Sequence, residues 1–176
     1  KILERNGLTI VDVENTSVHG GSNRIWAKKT QFANPNKSVQ RNLDLEKILG
    51  LDKIETMERF ARRVVESKDD LRRFLTSCAD AGKKVISYGA TSKSTTIFNY
   101  CKIDTDLIQY ITDTTPEKQG KYSPGVHIPI VSPEQGFNNS VDFAFLGAWN
   151  FAQEIKNKEK DFKGRFITHV PKVRFV

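Results

Sequence analysis

Lys84-Val85-Ile86-Ser87-Tyr88-Gly89-Ala90-Thr91-Ser92-Lys93-Ser94 decides the fold, because a short β-type run meets a glycine and then leads into a helix-compatible run, Thr95 to Cys101. A strand, a tight glycine turn and a helix start in that order bring unpaired backbone N–H groups and the positive end of a helix dipole to one spot. Such a spot attracts anions, so Gly89, Ala90, Thr91, Ser92 and Lys93 are candidate ligands for a phosphorylated molecule: the glycine lets the backbone approach, the hydroxyls donate and the lysine adds charge. As a motif the stretch is not G-x-G-x-x-G, since Ser87 and Ser92 stand where glycines are required. It is not a P-loop either, which needs a second glycine before the lysine. An ordinary turn followed by a capped helix reads the same residues without a ligand.

Downstream, strands are expected at 108–112, 128–131, 141–146 and 165–168 in addition to 84–88, with helices at 93–102, about 133–138 and 150–160. Strands that alternate with helices through short connections make a mostly parallel sheet covered on both faces, because parallel neighbours need crossovers. The expected class is therefore α/β and Rossmann-like. In open sheets of this kind ligands sit beyond the carboxyl ends of the strands, which draws attention to the loops after Tyr88, Asp113 and Leu146.

Upstream, Leu8 to Glu14 and Asn23 to Lys28 alternate apolar and polar side chains with a period of two, around Ser17-Val18-His19-Gly20-Gly21-Ser22. An antiparallel pair with a glycine-containing loop is expected there. Thr30 to Arg41 is polar, contains Asn34-Pro35-Asn36 and reads as a linker or mobile loop, with a short helix from Asp44 to Leu49 ending at Gly50. Ile54, Met57, Phe60, Val64, Leu71, Leu75 and Cys78 recur at three- and four-residue steps, giving a long amphipathic helix over 54–81 that stops at Gly82. The organisation expected is one domain over 1–176: junction strands at 1–30, a linker and short helix at 31–53, and a Rossmann-like core at 54–176. Lys1 to Gly7 reads as the tail of a helix with a glycine stop, so the chain is expected to be a fragment.

The formal charge is +7, with 28 basic and 21 acidic residues interspersed. That spread describes a solvated mixed surface rather than a nucleic-acid footprint, while the excess favours a phosphate-bearing small molecule. Cys78 and Cys101 fall inside expected helices, and no Cys/His cluster has metal-ligand spacing. A reduced, cytoplasmic, metal-free protein is the expectation. No apolar run approaches the roughly 20 residues of a membrane span, and no signal peptide opens the chain.

Among single residues, Asp113 ends the strand after the glycine turn, where an acid in a dinucleotide-binding unit meets ribose hydroxyls. The bland alternative is that it starts the turn Asp113-Thr114-Thr115-Pro116 by accepting backbone hydrogen bonds. His19, Gly20 and Gly21 form a loop that lets backbone approach a ligand beside an imidazole, or simply a turn between strands. His127 and His169 read as structural. Trp149 follows a strand end where it can stack on a base or sugar, and Asn150 is placed to cap the helix Phe151 to Lys160.

Six ordered strings carry a family resemblance: Ser17-Val18-His19-Gly20-Gly21-Ser22-Asn23-Arg24, Tyr88-Gly89-Ala90-Thr91-Ser92-Lys93, Asn99-Tyr100-Cys101, Asp113 through Gly120, Pro124 through Ile130, and Ala148-Trp149-Asn150-Phe151-Ala152-Gln153-Glu154-Ile155. In order and spacing the chain resembles the C-terminal domain of bacterial S-adenosylmethionine-dependent C-methyltransferases that act on nucleotide-diphosphate keto-deoxysugars. The resemblance implies a tripartite enzyme with a small zinc-holding N-terminal part, a middle domain that binds S-adenosylmethionine, and a Rossmann-like C-terminal domain that helps hold the nucleotide sugar. It implies that this chain is the substrate-binding part, with the donor-binding domain as its partner, and that alone it does not transfer a methyl group. The expected reaction removes a proton beside a keto group and methylates the enolate, with the base on the middle domain and not at His19. From their positions in the expected fold, His19, Gly20 and Gly21 would then face the domain junction near the sugar, the glycine turn and Lys93 would take the diphosphate, and Asp113 with Trp149 the nucleoside, with Asn150 a further substrate-binding candidate. Many relatives carry glycine in place of Ser94, and a serine there narrows the approach of a phosphate.

Two other readings compete. A self-sufficient NAD(P)-binding domain of an oxidoreductase fits the strand, glycine, helix and acid pattern but lacks the further glycines. A non-catalytic interaction module with a degenerate Rossmann-like fold fits the long amphipathic helix.

Overall fold

The computed structural model describes residues 1–138 and 140–176. Its internal packing groups the chain into two compact units, Lys1–Ala61 and Arg62–Val176, where the sequence reading takes 1–176 as one domain.

The first unit is built on an antiparallel pair. A short helix α1 (Ile2–Arg5) precedes β1 (Leu8–Thr16), which pairs with β2 (Ser22–Lys29) from Leu8 opposite Lys29 to Thr16 opposite Ser22. The register shifts between Ile10 and Asp12, a bulge that leaves Val11 and Val13 as the buried apolar residues of β1. Helix α2 (Lys37–Ile48) docks on this strand: Asn36 N–H donates to Val11 O at 2.8 Å, and Ser38 Oγ bonds the Asp12 carboxylate. The expected linker over Thr30 to Arg41 is thus mostly ordered, with a 3-10 turn at Thr30–Phe32 and a helix that begins at Lys37, seven residues before the expected Asp44. The helix has no buried residue, so its packing leaves no strong apolar stripe in the sequence.

Helix α3 (Ile54–Asp80) spans the expected long element. Its buried residues are Leu71, Leu75 and Cys78, all toward its C-terminal end, whereas Ile54, Met57 and Phe60 remain exposed. A stripe that looks uniform in sequence therefore has two different environments.

The second unit is a six-stranded sheet in the order β5 (Ile130–Val131), β4 (Ile111–Thr112), β3 (Val85–Tyr88), β6 (Phe143–Leu146), β7 (Arg165–Thr168), β8 (Arg174–Phe175). The first five are parallel neighbours, and β8 runs antiparallel to β7 at the edge. The fold class expected from the sequence is the one observed. Strand β8, two exposed residues long, is absent from the sequence reading, and its placement is held by Arg165, whose guanidinium lies 3.4 Å from the centroid of the Phe175 ring. The expected strands 108–112 and 128–131 shrink to two residues each, although the residues before them still bond neighbours: Gln109 N–H donates to Val85 O at 3.1 Å and Ile111 N–H to Pro129 O at 2.8 Å.

Alternation along the strands serves two cores. Val85 and Phe145 face a cluster with Leu71, Leu75 and Cys78 of α3 and with Phe98 and Cys101 of α4 (Ser92–Cys101). Ile86, Ala144 and Leu146 face the other side, where Ile155 of α6 (Ala152–Lys158) and Phe166 close a second cluster. Both faces of a parallel sheet must be covered because each carries apolar side chains. Helix α5 (Pro133–Gly136) is a single capped turn between β5 and β6, with Ser132 and Gln135 bonding each other's backbone in a capping box. Among the described residues no helix is long and apolar enough to cross a membrane.

Leu75 is fully buried between helix and sheet. Leu75→Ala is expected to destabilise the second unit by about 2–5 kcal/mol in denaturant unfolding, whereas Leu49→Ala, at an exposed position, should change stability by no more than about 0.5 kcal/mol.

Candidate functional site

Strands β4 and β5 lie on one side of β3, and β6 and β7 on the other. The chain direction of the crossovers therefore reverses at β3, which is where ligands enter sheets of this kind. Tyr88 is in register with Thr112 on one side and Leu146 on the other, so the residues that follow, Gly89, Asp113 and Gly147, stand level at the carboxyl edge.

The Gly89 turn requires its glycine. Gly89 has φ +88°, a conformation costly for a residue with a Cβ, and its N–H donates to Thr112 O at 2.7 Å. Thr91 caps α4: its Oγ1 accepts the Ser94 N–H at 3.1 Å, and Thr95 N–H returns to Thr91 O at 2.9 Å. Ser94 is buried, with its Oγ donating to Gly89 O at 3.1 Å and paired with Thr91 Oγ1 at 2.9 Å, so this hydroxyl stitches the turn rather than facing a ligand. The close approach of helix start to sheet that a glycine gives in the dinucleotide fingerprint comes here from Gly147 instead. A Cβ on Gly147 would collide with Ser94 Oγ and stand 3.1 Å from Ser94 Cα.

The turn is not closed over. Gly89, Ala90, Thr91 and Lys93 are half-buried and Ser92 is exposed, so the helix start is not sealed beneath neighbouring side chains. Lys93 Nζ donates to Asn150 Oδ1 at 2.8 Å and lies 6.0 Å from the centroid of the Trp149 ring. The structure thus brings Lys93, Trp149 and Asn150 together across β3 and β6. Asn150 does not cap the following helix as the sequence reading expects: a 3-10 turn, Trp149–Phe151, intervenes, and α6 begins at Ala152 with Phe151 at its N-cap. The Asn150 side-chain oxygen instead accepts a hydrogen bond from the Lys93 ammonium, a charge-assisted bond stronger than a neutral cap.

Asp113 is 7 % exposed, and its carboxylate is engaged by the chain itself. Oδ2 accepts the Ala90 N–H at 2.7 Å and the Lys118 ammonium at 3.1 Å, while Oδ1 accepts the Thr115 N–H at 2.8 Å. The turn-starting bonds that the sequence allows as the bland alternative are present, and with them a bond the sequence did not reveal, reaching back to the glycine turn. Burial pushes the Asp113 carboxyl up, but the bonds from Thr115, Lys118 and Ala90 outweigh it and leave it below the usual carboxylate value. Lys118, at the end of the 3-10 turn Pro116–Lys118, also donates to Ala90 O at 3.0 Å, and Gln119 Nε2 donates to Asp113 O at 2.9 Å. Sequence reading missed Lys118 as a contributor. The available signal was the spacing Asp113-x-x-Pro116-x-Lys118, in which a proline-started turn returns the lysine to the acid.

His19, Gly20 and Gly21 belong to the first unit, where Val18–Gly20 form a 3-10 turn between β1 and β2. His19 has φ +55°, and Gly20 and Gly21 have φ +88° and +128°, so the loop depends on its glycine pair. His169 packs against the Phe145 ring at 5.5 Å, and burial pushes its imidazole down to about 4, leaving it neutral at pH 7. His127 sits in an exposed turn with φ +55°. Among the described residues no group of three or more His, Cys, Asp or Glu side chains is placed to hold a metal ion.

Residues 17–171 match the family model described as C-methyltransferase C-terminal domain. The chain is also 35 % identical over 179 residues to C-methyltransferase NovU of Streptomyces niveus, a match that covers 99 % of this chain and 43 % of that protein. The chain thus spans less than half the length of the curated relative it matches.

Two outcomes test the turn. Because the Asp113 carboxyl lies lower in the folded than in the unfolded chain, its contribution is present above the usual carboxylate value of 3.8 and is lost as pH falls below it. Asp113→Asn is accordingly expected to cost about 1.5–3 kcal/mol at pH 7, with the deficit shrinking in urea unfolding as pH is lowered below about 4. Gly147→Ala should cost about 1–3 kcal/mol by overpacking against Ser94, read by thermal unfolding.

Proposed function

This chain belongs to the C-methyltransferase C-terminal domain family, and we propose that it is the substrate-binding part of an S-adenosylmethionine-dependent enzyme that methylates carbon on a nucleotide-diphosphate keto-deoxysugar. The observation that carries the substrate reading is the half-open turn Gly89–Lys93, set at the reversal point of a parallel sheet with an ammonium and an indole beside it. In this reading the diphosphate lies against the α4 start and Lys93, and the nucleoside lies toward Trp149. Asp113 acts by holding the turn, since the acceptor positions a ribose hydroxyl would use are shared with Ala90, Thr115 and Lys118. His19, Gly20 and Gly21, in the loop of the first unit, are proposed as sugar ligands on the strength of the family string they belong to.

The same turn does not fit S-adenosylmethionine. That donor carries a sulfonium cation, which the ammonium groups of Lys93 and Lys118 repel, and the acid an adenosine ribose would take is already engaged. The donor is therefore assigned to a part of the enzyme outside these 176 residues, and the isolated chain is expected to bind substrate without transferring a methyl group. The first unit exposes large apolar side chains, among them Trp26, Phe32, Leu43, Ile48 and Phe60, and these are assigned to contact with the donor-binding part. A cytoplasmic setting accompanies this reading, because its cosubstrates are metabolites of that compartment.

Titration calorimetry with a nucleoside diphosphate and with NADH tests the proposal. Binding of the first without the second is the expected outcome, and binding of NADH alone would replace it with the oxidoreductase reading. Lys93→Ala should weaken nucleoside diphosphate binding by about 1.5–3 kcal/mol, the range for a charge-assisted contact, and an unchanged affinity would remove Lys93 from the site.

A further inference from the structure

We propose that Lys118 is a second phosphate-binding cation at the Gly89 turn and that Asp113 is its positioning residue; this deepens the reading above and rests on it. An ammonium donates three hydrogen bonds, and Lys118 spends two of them on Asp113 Oδ2 at 3.1 Å and Ala90 O at 3.0 Å. Its side chain nevertheless stays 42 % exposed, against 7 % for Asp113. One N–H therefore remains for solvent or a ligand, on an ammonium already fixed within hydrogen-bond reach of the turn.

The charge of Lys118 offsets that of the buried Asp113 carboxylate, and the third N–H of the ammonium is left over from its two bonds to the turn. The Asp113 carboxylate already fixes the turn through the Ala90 and Thr115 amides, at 2.7 and 2.8 Å. Lys118 adds a cation on the β4 side of the turn, and Lys93, tied to Asn150, supplies one on the β6 side. Two cations held on opposite sides of a helix start match a diphosphate better than one, because its charge is spread over two phosphoryl groups. Holding both before the ligand arrives also removes the cost of ordering two flexible side chains on binding.

The experiment titrates the 176-residue chain with inorganic pyrophosphate by calorimetry at several salt concentrations, for wild type, Lys93→Ala, Lys118→Met and Lys118→Arg. Lys118→Met is expected to bind about ten- to a hundredfold more weakly and with a shallower salt dependence, and Lys118→Arg to recover most of the affinity. Wild-type affinity in Lys118→Met beside weakened binding in Lys93→Ala would overturn the inference and leave the phosphate site standing. Weakened binding with an unaltered salt dependence and no rescue by arginine would also overturn it, reducing Lys118 to a strut. Failure of the wild type to bind pyrophosphate would instead overturn the phosphate reading itself. Should Lys118→Met not fold, acetylation of wild-type lysines read by mass spectrometry replaces it: pyrophosphate is expected to slow modification of Lys118, and an unchanged rate would refute the proposal.

Discussion

The carboxylate of Asp113 is the constraint on which the carboxyl edge of the sheet depends. It joins the turn after β3 to the turn after β4 through the Ala90 and Thr115 amides, and it draws in Lys118 from the 3-10 turn beyond. A buried carboxylate is costly unless its lone pairs are filled. Here three donors occupy most of them, and the same bonds set the shape of the glycine turn. Ser94 and Gly147 close the turn from the β6 side, so the start of α4 is gripped from both neighbouring strands.

In the reading proposed above, this arrangement is how a sequence without the dinucleotide fingerprint would offer an anion site. Where the fingerprint's last glycine would let the helix approach the sheet stands the exposed Ser92; the close approach is made instead at Gly147, against the buried Ser94 whose hydroxyl turns inward. In the same reading the ammonium groups of Lys93 and Lys118, held by Asn150 and Ala90 O, would supplement the backbone donors. The chain belongs to a C-methyltransferase C-terminal domain family; in the proposed division of labour this fold would grip a carrier while the donor is held elsewhere.

The fold was legible because its signals are local and strong. The strand-to-helix turn at Tyr88–Ser92, the alternation that serves two cores, and the apolar stripe of α3 each follow from side-chain period alone. What the sequence concealed depends on partners distant in the chain. Helix α2 has no buried residue to betray it, β8 is two residues long and held by an arginine over a ring, and strands β4 and β5 keep only two residues each. At the site, Gly89, Lys93 and Asp113 stood out, but the inward role of Ser94, the bond from Lys93 to Asn150 and the return of Lys118 to Asp113 are tertiary facts.

Amide-resolved NMR of the 176-residue chain, titrated with uridine diphosphate, tests the central claim most directly, since it reports on the turn residue by residue. The account predicts that the largest shifts fall on Gly89 to Ser94, with smaller ones at Trp149, Asn150 and Lys118. Shifts confined to other parts of the chain, or none at saturating ligand, would contradict it.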